Sequence, residues 1–289
     1  MACVADFYVV GAMKAGTTSV YSSLDKLPDI FCPKMKEPFF FLSDFEKEGI
    51  PSHLYIDSLQ EYENLYCHAL PGQIKGDFSA IYLWSREAAK NIHASNPNAK
   101  IIAILRSPVD RAISHYRANV RDGTETRPIE KAFSAEINDL SNGKSAAPGY
   151  LSCSLYAEQL KRYLKHFKRD QVHIVLFETL VKSPTAELAA ISNHIGANFD
   201  EGMLNLTKVH ATGKATNRVT NFIYRNRACF MPALKFLVRD KIIHHVRDNF
   251  IFSPYTAIPQ DTIINLKAFF ARDIAELQKT LSIQLDCWK

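Results

Sequence analysis

One run near the amino terminus constrains this chain more than any other. Asp6-Phe7-Tyr8-Val9-Val10-Gly11-Ala12-Met13-Lys14-Ala15-Gly16-Thr17-Thr18-Ser19 reads as a buried apolar strand, a tight glycine-bounded turn and the start of a helix. That order gathers backbone N–H groups, the Thr17 and Thr18 hydroxyls and the Lys14 ammonium at one point. A helix amino terminus so furnished suits a doubly charged oxyanion. Strand-turn-helix units that repeat along a chain build a parallel sheet, so the expected class is α/β.

The loop has the glycine spacing of a Walker A loop but breaks its rule. Gly11 and Gly16 stand at the right separation, whereas Thr17 occupies the slot that the lysine fills in Gly-x-x-x-x-Gly-Lys-[Ser/Thr]. Lys14 lies before Gly16 instead, and so approaches the anion from within the loop. A second anion signature follows the apolar run Ile101-Ile102-Ala103-Ile104-Leu105, a pattern expected of a strand buried on both faces. Ser107 caps the next helix and Pro108 takes its first position, which leaves Arg106 at the carboxyl end of the strand. That edge is where open α/β sheets bind ligands. A Mg²⁺-dependent P-loop enzyme wants an aspartate there, and this chain has an arginine. Ser114 falls about two helical turns beyond Pro108.

With both motifs stated, a family resemblance is plain. Lys14-Ala15-Gly16-Thr17-Thr18-Ser19 resembles the 5′-phosphosulfate loop of sulfotransferases that use 3′-phosphoadenosine 5′-phosphosulfate (PAPS). Arg106 to Tyr116 resembles their 3′-phosphate motif, Arg-x-Pro-x-x-Arg-x-x-Ser-x-Tyr, at every fixed position. Lys36-Glu37-Pro38-Phe39-Phe40-Phe41 is similar to the Lys-Glu-x-x-Phe-Phe segment of the heparan-sulfate-type and related bacterial enzymes. Leu155 to Leu160, Gln171 to Glu178 and Ile274 to Trp288 are similar to later segments of that group, so the resemblance covers nearly the whole chain. It implies a P-loop-like parallel sheet flanked by helices on both faces. It also implies PAPS as donor, adenosine 3′,5′-bisphosphate (PAP) as product, and no metal.

The composition is compatible. The 289 residues, 47% hydrophobic, allow one large domain or at most two; the expectation is one spanning 1–289, with 208–289 as a mostly helical part that carries a nucleotide-covering loop. A net charge of +5 suits a polyanionic cofactor and is too small a surplus to indicate nucleic acid. Six scattered cysteines without a Cys-x-x-Cys pair read as free thiols of a reducing compartment. No apolar run reaches the roughly 18 residues that span a membrane, and none precedes the first strand as a leader. The expectation is therefore a cytoplasmic enzyme of open oligomeric state, a dimer included. Expected helices run from Leu54 to Ala69, Ser85 to Ser95, Ile129 to Leu140, Ser154 to Phe167 and Ile263 to Leu281, and expected strands from Gln73 to Ser79 and Val172 to Phe177. Lys208 to Asn226 reads as a basic surface loop.

The implied chemistry is in-line transfer of a sulfuryl group to an acceptor hydroxyl or amine. Charge grows on the bridging oxygen as its bond to sulfur breaks, and Lys14 is the candidate cation for it. By the resemblance, Ala15, Gly16, Thr17, Thr18 and Ser19 hold the 5′-phosphate, while Arg106 and Ser114 hold the 3′-phosphate. Glu37 is the candidate base, both by alignment with the family's catalytic glutamate and because nearby phenylalanines would desolvate it. Asp77, at a strand end, is the reserve. Tyr156 lines the cofactor site by resemblance, and Gly213-Lys214 belong to a late basic loop that closes over the nucleotide in relatives. Phe78 stands near the place of a lysine that some heparan-type enzymes carry. His115 reads as packing, and His244-His245 lacks the spacing of a metal pair. The loops from Phe31 to Tyr66 and Asn119 to Ser154, mixing aromatics with Lys36, Arg121 and Asp122, are expected to form the pocket for a small-molecule or glycan acceptor. Alternatives are a P-loop nucleotide kinase or other phosphotransferase, and a catalytically silent nucleotide- or carbohydrate-binding module.

Overall fold

A computed structural model describes residues 4–43, 47, 50, 52–144, 147–200, 202, 214–215, 252–253 and 257–288. Its centre is a parallel sheet of five strands: β1 (Phe7–Gly11), β2 (Ile30–Phe31), β3 (Ile74–Asp77), β4 (Lys100–Leu105) and β5 (Val172–Leu176). The spatial order is β2-β3-β1-β4-β5. β1 is buried along its whole length and β4 from Ile101 onward, as a strand covered on both faces must be. Tyr8 pairs with Ile101 on one side and with Asp77 on the other, and Leu105 pairs with Leu176.

Flanking helices are α1 (Thr17–Leu24), α2 (Leu59–Asn64), α3 (Ala88–Ser95), α4 (Pro108–Asp122), α5 (Ile129–Ser141), α6 (Tyr156–His166), α7 (Phe177–Lys182), α8 (Pro184–Ile195) and α9 (Gln260–Leu281). From β1 the chain first runs toward β2 and β3, then crosses to β4 on the opposite side. The connections thus diverge at β1, and the crevice beyond the carboxyl ends of β1 and β4 is where such a sheet takes ligands. One apolar cluster packs around the sheet; a second joins α4, α5 and α9 through Val109, Ile113, Phe133, Leu266 and Phe270.

Several boundaries differ from expectation, for local reasons. The stretch from Leu54 to Ala69 is a short 3₁₀ turn (Ser52–Leu54) and then α2, because the Ser58 hydroxyl accepts the Glu61 N–H at 3.2 Å and starts the helix there. Ser85 captures the N–H groups of Glu87 and Ala88, so α3 begins at Ala88. α9 begins after Pro259 rather than at Ile263. Within the expected basic loop, Lys214–Ala215 form strand β6, antiparallel to β7 (Phe252–Ser253), with β6 lying against α4. The rest of that loop, with Gly213, and His244-His245 lie outside the described residues. Among the described residues no helix is long and apolar enough to cross a membrane.

Candidate active site

The turn after β1 is shaped by close approach. A Cβ on Gly11 would stand 2.7 Å from the Leu83 Cβ and 2.8 Å from the Ala80 carbonyl oxygen, so only glycine fits. Lys14 (φ 68) and Gly16 (φ 88) both sit in the left-handed region, which is a steric cost for the lysine and none for the glycine. Gly16 precedes α1 with no side-chain cap, so the amides of that helix start are left to another partner. Thr17 is buried, Ser19 half-buried and Thr18 exposed.

The second motif folds as its residue types require. The Ser107 hydroxyl accepts the Asp110 N–H, and Pro108 occupies the first turn of α4. Arg106 emerges directly after β4. Its Nη1 donates to the Lys14 carbonyl at 3.1 Å, and its guanidinium stacks 4.7 Å from the Phe177 ring centroid. The same ring would touch a Cβ on Gly16 at 3.2 Å. Arg111, one turn into α4 and fully buried, donates to the Ser154 hydroxyl, the Tyr150 carbonyl and, at 3.5 Å, the Met13 carbonyl. The two loops expected to bind opposite ends of a ligand are therefore tied directly to each other. Ser114 is half-buried and lies three residues beyond Arg111, on the same helix face.

Among the described residues Lys14, Arg106 and Arg111 form no ion pair with a carboxylate. Burial is the main reason the Lys14 ammonium is pushed below its ordinary pKa; Arg121 adds to the effect while Asp122 and Glu37 oppose it. Burial likewise lowers the Arg106 pKa, against Asp110 and Glu178. His115 is pushed down to about 3, by burial first and then by Arg111 and Lys14, so its ring is neutral and packs edge-on against Tyr150 at 5.0 Å. Partly buried cations without a carboxylate match the donor set that a polyanionic nucleotide requires.

The candidate base region reads differently from expectation. The Glu37 side chain keeps 34% of its exposure, and Lys36 Nζ sits 3.0 Å from its Oε1. Asp77, at the end of β3, is fully buried. Its carboxylate accepts from Ser79 Oγ at 2.7 Å, the Tyr62 hydroxyl at 2.9 Å and the Tyr82 hydroxyl at 3.4 Å. Burial, against those donors, pushes its pKa up to about 7. So enclosed, it has no path to an acceptor hydroxyl, and the reserve role expected of it does not fit its place.

Tyr156 also needs correction. Its ring is fully buried, and its hydroxyl donates to the Arg106 carbonyl at 2.9 Å, so it supports the second motif from behind. Lys214 is placed only through the backbone of β6. Sequence reasoning gave no individual role to Arg111, Phe177, Glu178 and Trp288, although each lies in a segment that resembles the family. Glu178 accepts the Ser107 N–H at 2.8 Å and the Trp288 indole N–H at 3.0 Å, which joins the end of the described chain to the second motif. Arg111 was findable, being a fixed position of the motif; Phe177 and Glu178 carried the weaker signal of directly following a strand.

Residues 5–224 match the family model of the sulfotransferase domain. This chain belongs to the sulfotransferase domain family. It is 30% identical over 190 residues to human (Homo sapiens) heparan sulfate glucosamine 3-O-sulfotransferase 6, covering 65% of this chain and 51% of that protein. It is 29% identical over 219 residues to heparan sulfate glucosamine 3-O-sulfotransferase 3B1 of Mus musculus, covering 71% and 52%. The chain thus spans about half the length of the curated relatives it matches. The crystal structure of a sulfotransferase from Alicyclobacillus acidocaldarius superimposes with a TM-score of 0.72 at 26% identity, over 98% of both chains.

Proposed function

We propose that this sulfotransferase-family chain moves a sulfuryl group from PAPS to a hydroxyl or amine of a small-molecule or glycan acceptor. One observation carries the reading: the loop of Lys14 and the motif of Arg106 meet at the carboxyl edge of the sheet, joined by the Arg106–Lys14 carbonyl bond, as a cationic crevice without carboxylate partners among the described residues.

In this reading the amides at the start of α1, with Ala15, Gly16, Thr17, Thr18 and Ser19, hold the 5′-phosphate. Arg106 and Ser114 hold the 3′-phosphate, which separates PAPS from ATP. Glu37 takes the acceptor proton as the new O–S or N–S bond forms, and the bond from sulfur to the bridging phosphate oxygen breaks. Lys14 meets the charge that develops on that oxygen, and PAP leaves. A preorganised donor of this kind is worth on the order of 10²–10³ in rate. An arginine at the end of β4, where a metal-using enzyme keeps a carboxylate, supports transfer without Mg²⁺. Arg121 and Asp122, paired at 3.0 Å and within electrostatic reach of Lys14, are in this reading part of the acceptor pocket.

The test is transfer from ³⁵S-labelled PAPS in EDTA to heparan sulfate and to a set of small phenols and amines. Label should reach at least one acceptor; Lys14→Ala and Glu37→Gln should each cut the rate by about a hundredfold or more while PAP still binds. Dependence on Mg-ATP, or full activity in both variants, would overturn the reading.

A further inference from the structure

The buried Asp77 has no access to substrate, yet its contacts lead to the segment that carries Glu37. Tyr82 has one hydroxyl hydrogen, directed at Asp77, and its oxygen accepts the Phe41 N–H at 3.2 Å. Tyr62, the other hydroxyl on the same carboxylate oxygen, lies flat against Phe40 with centroids 4.6 Å apart and planes 15° apart. Phe41 meets Tyr8, Tyr62 and Tyr82 edge-on, and its carbonyl accepts from Asn91 Nδ2 at 3.0 Å. Between these anchors and Glu37, Phe39 adopts φ 53, a left-handed conformation that a bulky residue keeps only where its surroundings impose it. The Pro38 carbonyl is fixed as well, by the Ile56 N–H at 2.9 Å. Without the carboxylate the Tyr62 hydroxyl would keep the Tyr66 hydroxyl at 3.3 Å and the Tyr82 hydroxyl the Phe41 N–H, but neither hydroxyl hydrogen would have a fixed acceptor in Asp77.

We propose that Asp77 is a positioning residue, which orients the Tyr62 and Tyr82 hydroxyls so that they pin Phe40 and Phe41 and thereby set where Glu37 stands relative to Lys14. This rests on Glu37 being the base, and it gives Asp77 a role in place of the reserve base. The carboxylate supplies acceptors that no apolar side chain could. Ser79 takes Oδ1, while the two tyrosines share Oδ2.

The experiment compares the wild-type chain with Tyr82→Phe and Asp77→Asn by amide hydrogen exchange, without and with PAP. In both variants the amides of 37–42 should exchange at least about tenfold faster, while those of 12–20 stay unchanged and PAP affinity stays within about twofold. With heparan sulfate as acceptor, kcat should fall about tenfold and KM for PAPS should hold, a split that general loosening of the fold would not give. Unchanged exchange at 37–42 in both variants overturns the proposal. So does equal loss of protection at 12–20, or weakened PAP binding, which would make Asp77 a support of the whole fold. If wild type turns over no heparan sulfate, the exchange result alone decides. Failure of the donor reading looks different: PAP then fails to bind the wild-type chain, while exchange in the free protein still reports on Asp77. Failure of the base assignment appears as full transfer by Glu37→Gln, again independent of the exchange result.

Discussion

The most searching prediction concerns Asp77 and pH. Its carboxyl is pushed from 3.8 to about 7, chiefly by burial, with Ser79, Tyr62 and Tyr82 opposing and Glu37 adding to the rise. Tyr8 and Tyr66 complete the surrounding side chains. A carboxyl whose folded pKa is raised binds its proton more tightly in the fold than in the unfolded chain. Its contribution to stability is therefore complete below 3.8 and is lost as pH rises through about 7. The difference is roughly three pH units at about 1.36 kcal/mol each, or about 4 kcal/mol. Asp77→Asn cannot ionise and so lacks this slope. Urea unfolding at pH 5 and pH 8 should show the variant gaining on wild type by about 2–4 kcal/mol across that interval. Asp273 is raised to about 6 and has the same sign, while His115 and His194, lowered to about 3 and about 4, have the opposite sign. Those groups are common to both proteins and cancel in the comparison. Parallel stability curves from pH 4.5 to 8 would show that the Asp77 carboxyl is not raised by the fold. A gain in stability at pH 8 together with slower transfer would mean that a stability cost is retained for the site.

Gly16→Ala puts a side chain at φ 88, 3.2 Å from Phe177; a loss of about 1 kcal/mol in thermal unfolding and weaker PAP binding should follow, and unchanged values of both would contradict the loop geometry. Arg111→Met removes the buried donor shared by the Tyr150 carbonyl, the Ser154 hydroxyl and the Met13 carbonyl, at roughly 1–3 kcal/mol, although Ser154 Oγ keeps its bond to the Pro108 carbonyl; calorimetry should show the melting temperature falling by several degrees, and an unchanged melting temperature would deny the tie between the motifs. Trp288→Phe keeps the ring beside Tyr156 and removes the N–H that Glu178 accepts; PAP affinity, measured by titration, should drop by up to about tenfold, and no drop would mean that Glu178 holds Ser107 unaided.

Much of the frame was legible in local sequence. The β-branched run Ile101–Leu105 and the strand before Gly11 name themselves, because a strand covered on both faces has no use for polar residues. Ser107 and Pro108 marked the start of α4 because capping is a local event. What stayed hidden depends on contacts distant in sequence. Glu178 reaches Ser107 across 71 residues and Trp288 across 110, distances over which no periodicity carries information. Asp77 read as an edge carboxylate because Tyr62, which comes from α2, and the fold of the turn that carries Tyr82 over it are not visible in the strand's own sequence. Sequence shows phenylalanines beside Glu37 but not that the Phe40 and Phe41 rings turn to Tyr62 while Lys36 pairs with the carboxylate. The burial of Arg111 ran against the ordinary exposure of arginine, and three oxygen acceptors account for it.

In the proposed function this crevice recognises both phosphorylated ends of one nucleotide. Isothermal titration of PAP against AMP tests it most directly. A second phosphate met by Arg106 and Ser114 is worth roughly 1.5–3 kcal/mol, so PAP should bind about ten- to a hundredfold more tightly than AMP, and Arg106→Ala should erase most of that preference. Equal affinity for the two nucleotides in the wild-type chain would contradict the account.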